Sequence, residues 1–146
     1  MIRIGNYLEL DEKKYDENWM IVRKPDEMPE FARHVPELSP SPELFRKYRA
    51  AYHEGKFNQK FFDEVYVPQF LMELSENAEA MNILQMLVEM SDKKDIFLAC
   101  YCEVETMCHR SIIAGVLLGM GAVIDTKEDY IKYATKLRDI SARHTG

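Results

Sequence analysis

The chain has 146 residues, 47% of them apolar and 30% charged, which suits one domain with its own core and no need of cross-links or a cofactor to fold. Its 25 acidic residues outnumber 19 lysines and arginines, for a formal charge of -6. That balance argues against a nonspecific DNA or RNA coat, which wants a basic field, and leaves room for a small positive pocket. The 3 cysteines cannot all pair within the chain, and they crowd between Cys100 and Cys108. They read as thiols of a reduced, cytoplasmic protein. The opening MIRIGNYLEL carries Asn6 and Glu9 and is expected to be neither a signal peptide nor a membrane segment. The longest apolar run, Ile112 to Val123, is broken by glycines and too short to span a bilayer, so no membrane partner is expected.

In chain order, Ile2, Ile4, Tyr7, Leu8 and Leu10 give a first strand signal with imperfect alternation. Trp19-Met20-Ile21-Val22 gives a second, ended before Pro25. Five prolines between 25 and 42 exclude a continuous helix, leaving at most a short helical turn over 29–34. Ser41-Pro42 is a helix start, with Leu44, Tyr48 and Tyr52 along one face and Gly55 at the end. Asn58 is expected to cap a helix carrying Phe61, Phe62, Val65, Tyr66, Phe70 and Leu74, bent at Pro68. Ser75 is read as the cap of the next, through about Met90. Ile96 to Cys100 is almost wholly apolar and reads as a central parallel strand, buried on both faces. A loop leads to a helix near 108–119, with Thr106 as its expected cap. Ala122-Val123-Ile124 is an edge strand candidate, and Thr126 with Asp129 has the spacing of a capping box for a helix over 127–140. The pattern is that of a single α/β domain over 1–146, with a small, mainly parallel sheet flanked by helices.

The chemistry concentrates at one strand–helix junction, from Ile96 to Ser111. The carboxyl edge of an open parallel sheet is where ligands commonly bind, and the first amides of the following helix favour an anion. Arg110 opposes the helix dipole there. It is either paired with an acid such as Glu103 or Glu105, or it converges with the amides on a bound anion. Cys108 has the setting of a thiolate nucleophile, although a lone cysteine beside an apolar helix is as readily a small buried side chain. The spacing is not that of a phosphatase loop, which wants a Cys, five residues and an Arg. Cys100, Cys102, Cys108 and His109 are four soft donors, yet Cys108 and His109 are adjacent and do not share a helical face. Redox pairing of Cys102 with Cys108 lacks the compact Cys-x-x-Cys spacing.

Cys100, followed after seven residues by Cys108-His109-Arg110 and Ser111, resembles the DUF488 family, uncharacterised proteins that include a YeaO-like branch. Arg23 after Trp19–Val22, Leu38-Ser39-Pro40-Ser41 before a helix, and Phe61-Phe62 with Tyr66 resemble that branch as well, so the likeness covers about residues 2–120. Cys102 stands where members commonly carry an acid, and Lys24-Pro25-Asp26 replaces a Trp-Pro-Arg-Gly-like segment. The resemblance implies where the site lies and leaves its reaction open.

Three functions compete. The first is a binder of a small anionic ligand, with or without thiol-dependent catalysis. In it Cys108 is nucleophile, His109 proton carrier and Arg110 anion holder, with Cys100, Arg3, Arg23, Arg110 and Ser111 binding ligand. The second is a non-catalytic regulatory or protein-interaction domain using the same pocket or the segment 25–42. The third is a zinc-binding module. His34 in the proline-rich loop is a weaker ligand-facing candidate, and His53 and His144 read as exposed. Tyr101 either stacks on a ligand or packs under the loop. Arg46, Lys47 and Arg49 with Tyr48 and Tyr52 could be read as a nucleic-acid patch, but helical spacing explains the tyrosines and the overall charge opposes that partner. The Met-rich stretch 81–90 is core, or a homodimer face.

Overall fold

Strand β4 (Ile96–Cys100) is completely buried along its length, as an apolar run without polar alternation requires when both faces are covered. The computed structural model describes residues 1–145, with side chains through 143. On one side β4 pairs in parallel with β1 (Ile2–Asn6), on the other with β2 (Glu17–Met20). Strand β3 (Ala32–His34) adds to β2, and the short β5 (Ile124–Asp125) adds to β1. The order is β3-β2-β4-β1-β5, all pairings parallel, so every strand ends on the same edge. The mainly parallel sheet expected from the sequence is present.

Six α-helical segments follow the first three strands. Helix α1 (Pro42–His53) starts where Ser41 accepts a hydrogen bond from the Leu44 amide, and Gly55 follows its end in the left-handed region at φ 69°. Asn58 caps α2 (Gln59–Phe61), as its position predicts. A π-helical turn, Phe62–Tyr66, joins α2 to α3 (Val67–Glu76) just before Pro68, whose missing amide cannot close a regular turn. The cap of α4 (Ala78–Met90) is Asn77 rather than Ser75: its side chain accepts from the Ala80 amide, while Ser75 turns back to the Met72 carbonyl. Helix α5 (His109–Gly119) is buried through its first nine residues. It packs against β1, β4 and β5, and on its outer side against α6 (Lys132–Thr145) and α3.

Three expectations fail locally. Residues 32–34 form a strand, because β2 offers a free edge on which Ala32, Arg33 and His34 can pair. Before α6 lies a 3-10 turn, Glu128–Ile131, with no side-chain cap from Thr126. The cap of α5 is Cys108, in extended conformation, and Thr106 lies within a preceding 3-10 turn, Glu105–Met107. Among the described residues, no helix is long and apolar enough to cross a membrane.

Candidate functional site

The carboxyl ends of β2 and β4 and the first turn of α5 meet at the buried edge of the sheet. Beyond Cys100 the backbone bends at Tyr101. The bend is held from two sides: the Asn6 side chain donates to the Cys102 carbonyl at 3.2 Å and the Tyr101 carbonyl at 3.4 Å, and Arg110 Nη1 donates to the same Cys102 carbonyl at 2.7 Å. In a straight strand residues two apart share a face but stand about 7 Å apart along it. With the chain bent at Tyr101, the Sγ atoms of Cys100, Cys102 and Cys108 and a His109 ring nitrogen lie within 4.8 Å of one another.

Cys100 Sγ lies 3.0 Å from Cys108 Sγ and 3.1 Å from Arg110 Nη1, which is 3.9 Å from Cys108 Sγ. Arg110 is only 4% exposed. Among the described residues no carboxylate pairs with it, and its Nε is buried without a hydrogen-bond partner. A buried cation needs a counter-charge, and sulfur supplies it here. Hydrogen bonds from Cys102 and then Cys108, aided by the charge of Arg110, hold the Cys100 thiol far below its ordinary range despite burial. The Cys102 thiol is pushed up to about 12, chiefly because its proton is held on Cys100. Burial, then the same kind of hydrogen bond, pushes Cys108 up as well. Burial works against the Arg110 charge, but the neighbouring thiolate outweighs it and raises Arg110. These shifts favour a thiolate at Cys100 beside two thiols and one guanidinium.

His109 Nε2 is 2.6 Å from the Ile21 carbonyl oxygen. A carbonyl only accepts, which assigns the proton to Nε2 and leaves Nδ1 facing Cys108 Sγ at 3.7 Å. Ser111 donates its hydroxyl to the Cys108 carbonyl at 2.8 Å, tightening the first turn of α5.

Above the cluster opens a cavity of about 420 Å³, within the usual range for small-molecule sites. Cys100, Cys102 and His109 reach it from below, Tyr48, Tyr66 and Tyr101 from the sides. Arg23, Lys24 and Arg49 stand at its mouth beside Asp26. The Arg23 and Arg49 guanidiniums each lie 5.9 Å from the Phe45 ring centroid. Among the described residues, neither has a carboxylate ion-pair partner.

The matching family model is described as the active DUF488-N3 subclade, and it spans residues 3–121. The chain belongs to the DUF488-N3a family. No curated protein and no solved structure matches it.

The residues singled out in this DUF488-N3a sequence divide into three groups. Cys100, His109 and Arg23 line the cavity. Cys108 and Arg110 lie just beneath and do not line it, with Arg110 Nη1 turned to Cys100 Sγ at 3.1 Å. Arg3 and Ser111 are elsewhere. Arg3 sits near the amino end of β1, 3.5 Å from Asp95 and 3.9 Å from Asp125, far along the strand from the carboxyl edge. His34 Nε2 donates within the fold to the Val22 carbonyl at 2.7 Å. His53 is exposed, and the side chain of His144 falls outside the described ones. Asn6 and Arg49 are site residues that sequence reasoning missed in this role. Arg49 was visible as part of a basic run, and Tyr48 as part of an apolar stripe.

Cys100, Cys102, Cys108 and His109 could hold a small molecule or a metal ion. The donor set suits zinc. The geometry, however, gives a cation's place to the guanidinium, whose Nη1 is close to two of the three sulfurs.

Proposed function

We propose that the protein binds a small anionic molecule in the cavity and presents it to the Cys100 thiolate. Arg23 and Arg49 take the negative charge, Arg110 keeps Cys100 ionised, and His109 carries a proton at Nδ1. The observation that carries this reading is the vertical division of charge. Two arginines without carboxylate partners stand at the mouth, and a third is committed to the sulfur on the floor. In a chain of net charge -6, such a concentration of cations favours one local anion. The family's description as an active subclade supports a catalytic reading.

The test compares alkylation of Cys100 by iodoacetate, an anion, with iodoacetamide, its neutral counterpart, by peptide mass mapping. Relative to a cysteine reference peptide, the native protein is expected to favour iodoacetate by at least about tenfold. Replacing Arg23 and Arg49 together by Ala returns the ratio to the reference. A native ratio at or below the reference overturns the proposal.

A second reading rests on the four donors within 4.8 Å of one another: a zinc centre beneath the cavity. Reduced protein equilibrated with one equivalent of zinc in the presence of a chromophoric chelator decides it. Zinc retained by the protein, and lost in Cys108→Ser, supports this reading; full transfer to the chelator rejects it.

A further inference from the structure

Cys108 has no part in binding the anion, yet its sulfur is 3.0 Å from Cys100 Sγ; both residues are buried, at 1% and 0% exposure, and of the two Cys100 lines the cavity. Two free thiols in this relation, one facing a cavity and the other behind it, form a pair in which the inner one can reach whatever is attached to the outer. The redox pairing considered from the sequence is Cys102 with Cys108, against which the spacing speaks. The fold sets Cys108 Sγ 3.0 Å from Cys100 Sγ and leaves Cys102 half-buried at the cavity wall.

We infer that Cys100 and Cys108 exchange with a small, negatively charged disulfide, Cys108 acting as the resolving thiol. The inference rests on the anion-binding reading above. Cys100 thiolate attacks one sulfur of the disulfide RSSR, forming a mixed disulfide and releasing RS⁻. Cys108 passes its proton to His109 Nδ1, 3.7 Å away, and attacks Cys100 Sγ. The Cys100–Cys108 bond forms, the second RS⁻ leaves, and it takes the proton from His109. One disulfide is reduced by two electrons to one thiolate and one thiol, and the protein's thiolate–thiol pair is oxidised by the same two.

The surroundings fit this cycle in three ways. The mouth cations Arg23, Lys24 and Arg49 suit carboxylates on the incoming disulfide. The segment between the two cysteines, Tyr101 to Met107, is a bend and a 3-10 turn rather than regular helix or strand, so closing a 3.0 Å gap to a bond requires no regular element to break. Oxidation also removes the thiolate from Arg110, which has no carboxylate to replace it and already has an unpaired Nε. The protein disulfide is therefore one that excess small disulfide forms and excess thiol readily reverses.

The experiment exposes reduced native protein to oxidised glutathione, an anionic disulfide, or to cystamine, a cationic one. Samples are quenched in acid, alkylated and mapped by peptide mass. With oxidised glutathione the wild type is expected to yield the Cys100–Cys108 disulfide, with Cys102 still alkylated, at least about tenfold faster than with cystamine. Cys108→Ser stops at a glutathione adduct on Cys100, and Cys100→Ser forms none. The wild-type map alone assigns the pair, so the test survives a variant that folds poorly. Three alkylated cysteines after oxidised glutathione, a bond or adduct on Cys102, or equal or faster reaction with cystamine overturns the inference. If any of these occurs while iodoacetate preference persists, only the exchange reaction falls; if the preference is lost as well, so does anion binding.

Discussion

Arg110 Nη1 lies 3.1 Å from Cys100 Sγ, and the same nitrogen holds the Cys102 carbonyl at 2.7 Å. One side chain thus adds its charge to the hydrogen bonds that favour the thiolate and holds the bend beside the cavity that Cys100 lines. Replacing Arg110 by Gln keeps much of the length and a donor while removing the charge. The expected outcome is an upward shift of the pH at which Cys100 becomes alkylated, and at neutral pH a slowing of about tenfold or more. An unchanged pH profile of the alkylation rate would show that Arg110 is only a bracket for the loop.

The three thiols make stability depend on pH in opposite directions on either side of the ordinary thiol range. Cys100 is lowered in the fold, so its contribution is fully present above the unfolded thiol value of about 9 and declines as pH falls from there toward its folded value. Cys102, pushed up to about 12, and Cys108, also raised, contribute below the unfolded value and lose that contribution as pH rises toward their folded values. Thermal unfolding under reducing conditions should show Tm falling between pH 9 and 12 in the wild type. In Cys102→Ser that fall is expected to be shallower. The same slope in both proteins would remove Cys102 from the account.

Gly115 in α5 approaches the next layer too closely for any side chain. A Cβ there would stand 1.9 Å from the Tyr130 carbonyl oxygen and 3.0 Å from the Tyr133 ring. Alanine gains about 1 kcal/mol of helix propensity, but the obstacle is backbone, and over-packing of this kind costs about 1–3 kcal/mol or more. Gly115→Ala is expected to lower stability by about 2 kcal/mol net, read by urea denaturation. A stabilised variant would mean that the Tyr130 segment yields freely.

Ser41 carries two tasks at the start of α1. Its hydroxyl oxygen accepts from the Leu44 amide at 3.1 Å and its proton goes to Glu73 on α3, which also takes the Ser41 amide at 3.0 Å. Ser41→Ala removes the cap and one hydrogen bond to a carboxylate, for an expected loss of about 1–2 kcal/mol. Ser41→Asp restores the cap but faces Glu73 with a like charge, so it should not rescue stability. Full rescue would make the cap the whole effect.

Much of this arrangement is legible in residue order because it depends on local rules. Ile96–Cys100 has no polar alternation and so belongs in the middle of a parallel sheet; Ser41, Asn58 and Gly55 mark helix ends by their own chemistry. The junction from Cys100 to Ser111 stands out by crowding soft donors beside an arginine. What escapes is whatever another segment supplies. Ala32–His34 is a strand only because β2 has an edge to offer. The convergence of Cys100 with Cys102 depends on Asn6, ninety-six residues before Cys102, whose side chain holds the bend. The preference for Cys100 over Cys108 as the ionised sulfur comes first from the hydrogen bonds that Cys102 and Cys108 aim at it, and then from Arg110 Nη1, which is 3.1 Å from Cys100 Sγ and 3.9 Å from Cys108 Sγ. Arg3 alternates correctly for a strand but stands at the wrong end of it, and alternation carries no information about ends.

The π-helical turn at Phe62–Tyr66 has a bearing on how this chain tolerates insertions and deletions. Such a turn accommodates one residue more than the helical path needs, and it ends on Tyr66, a cavity wall. Deleting a single residue within it would let α2 and α3 run on as one regular helix. The register upstream would then rotate by about 100°, carrying Phe61 and Phe62 off their present packing positions while α3 stays in place. A length change at this one point would therefore redraw the cavity wall without touching a single cysteine, histidine or arginine beneath it.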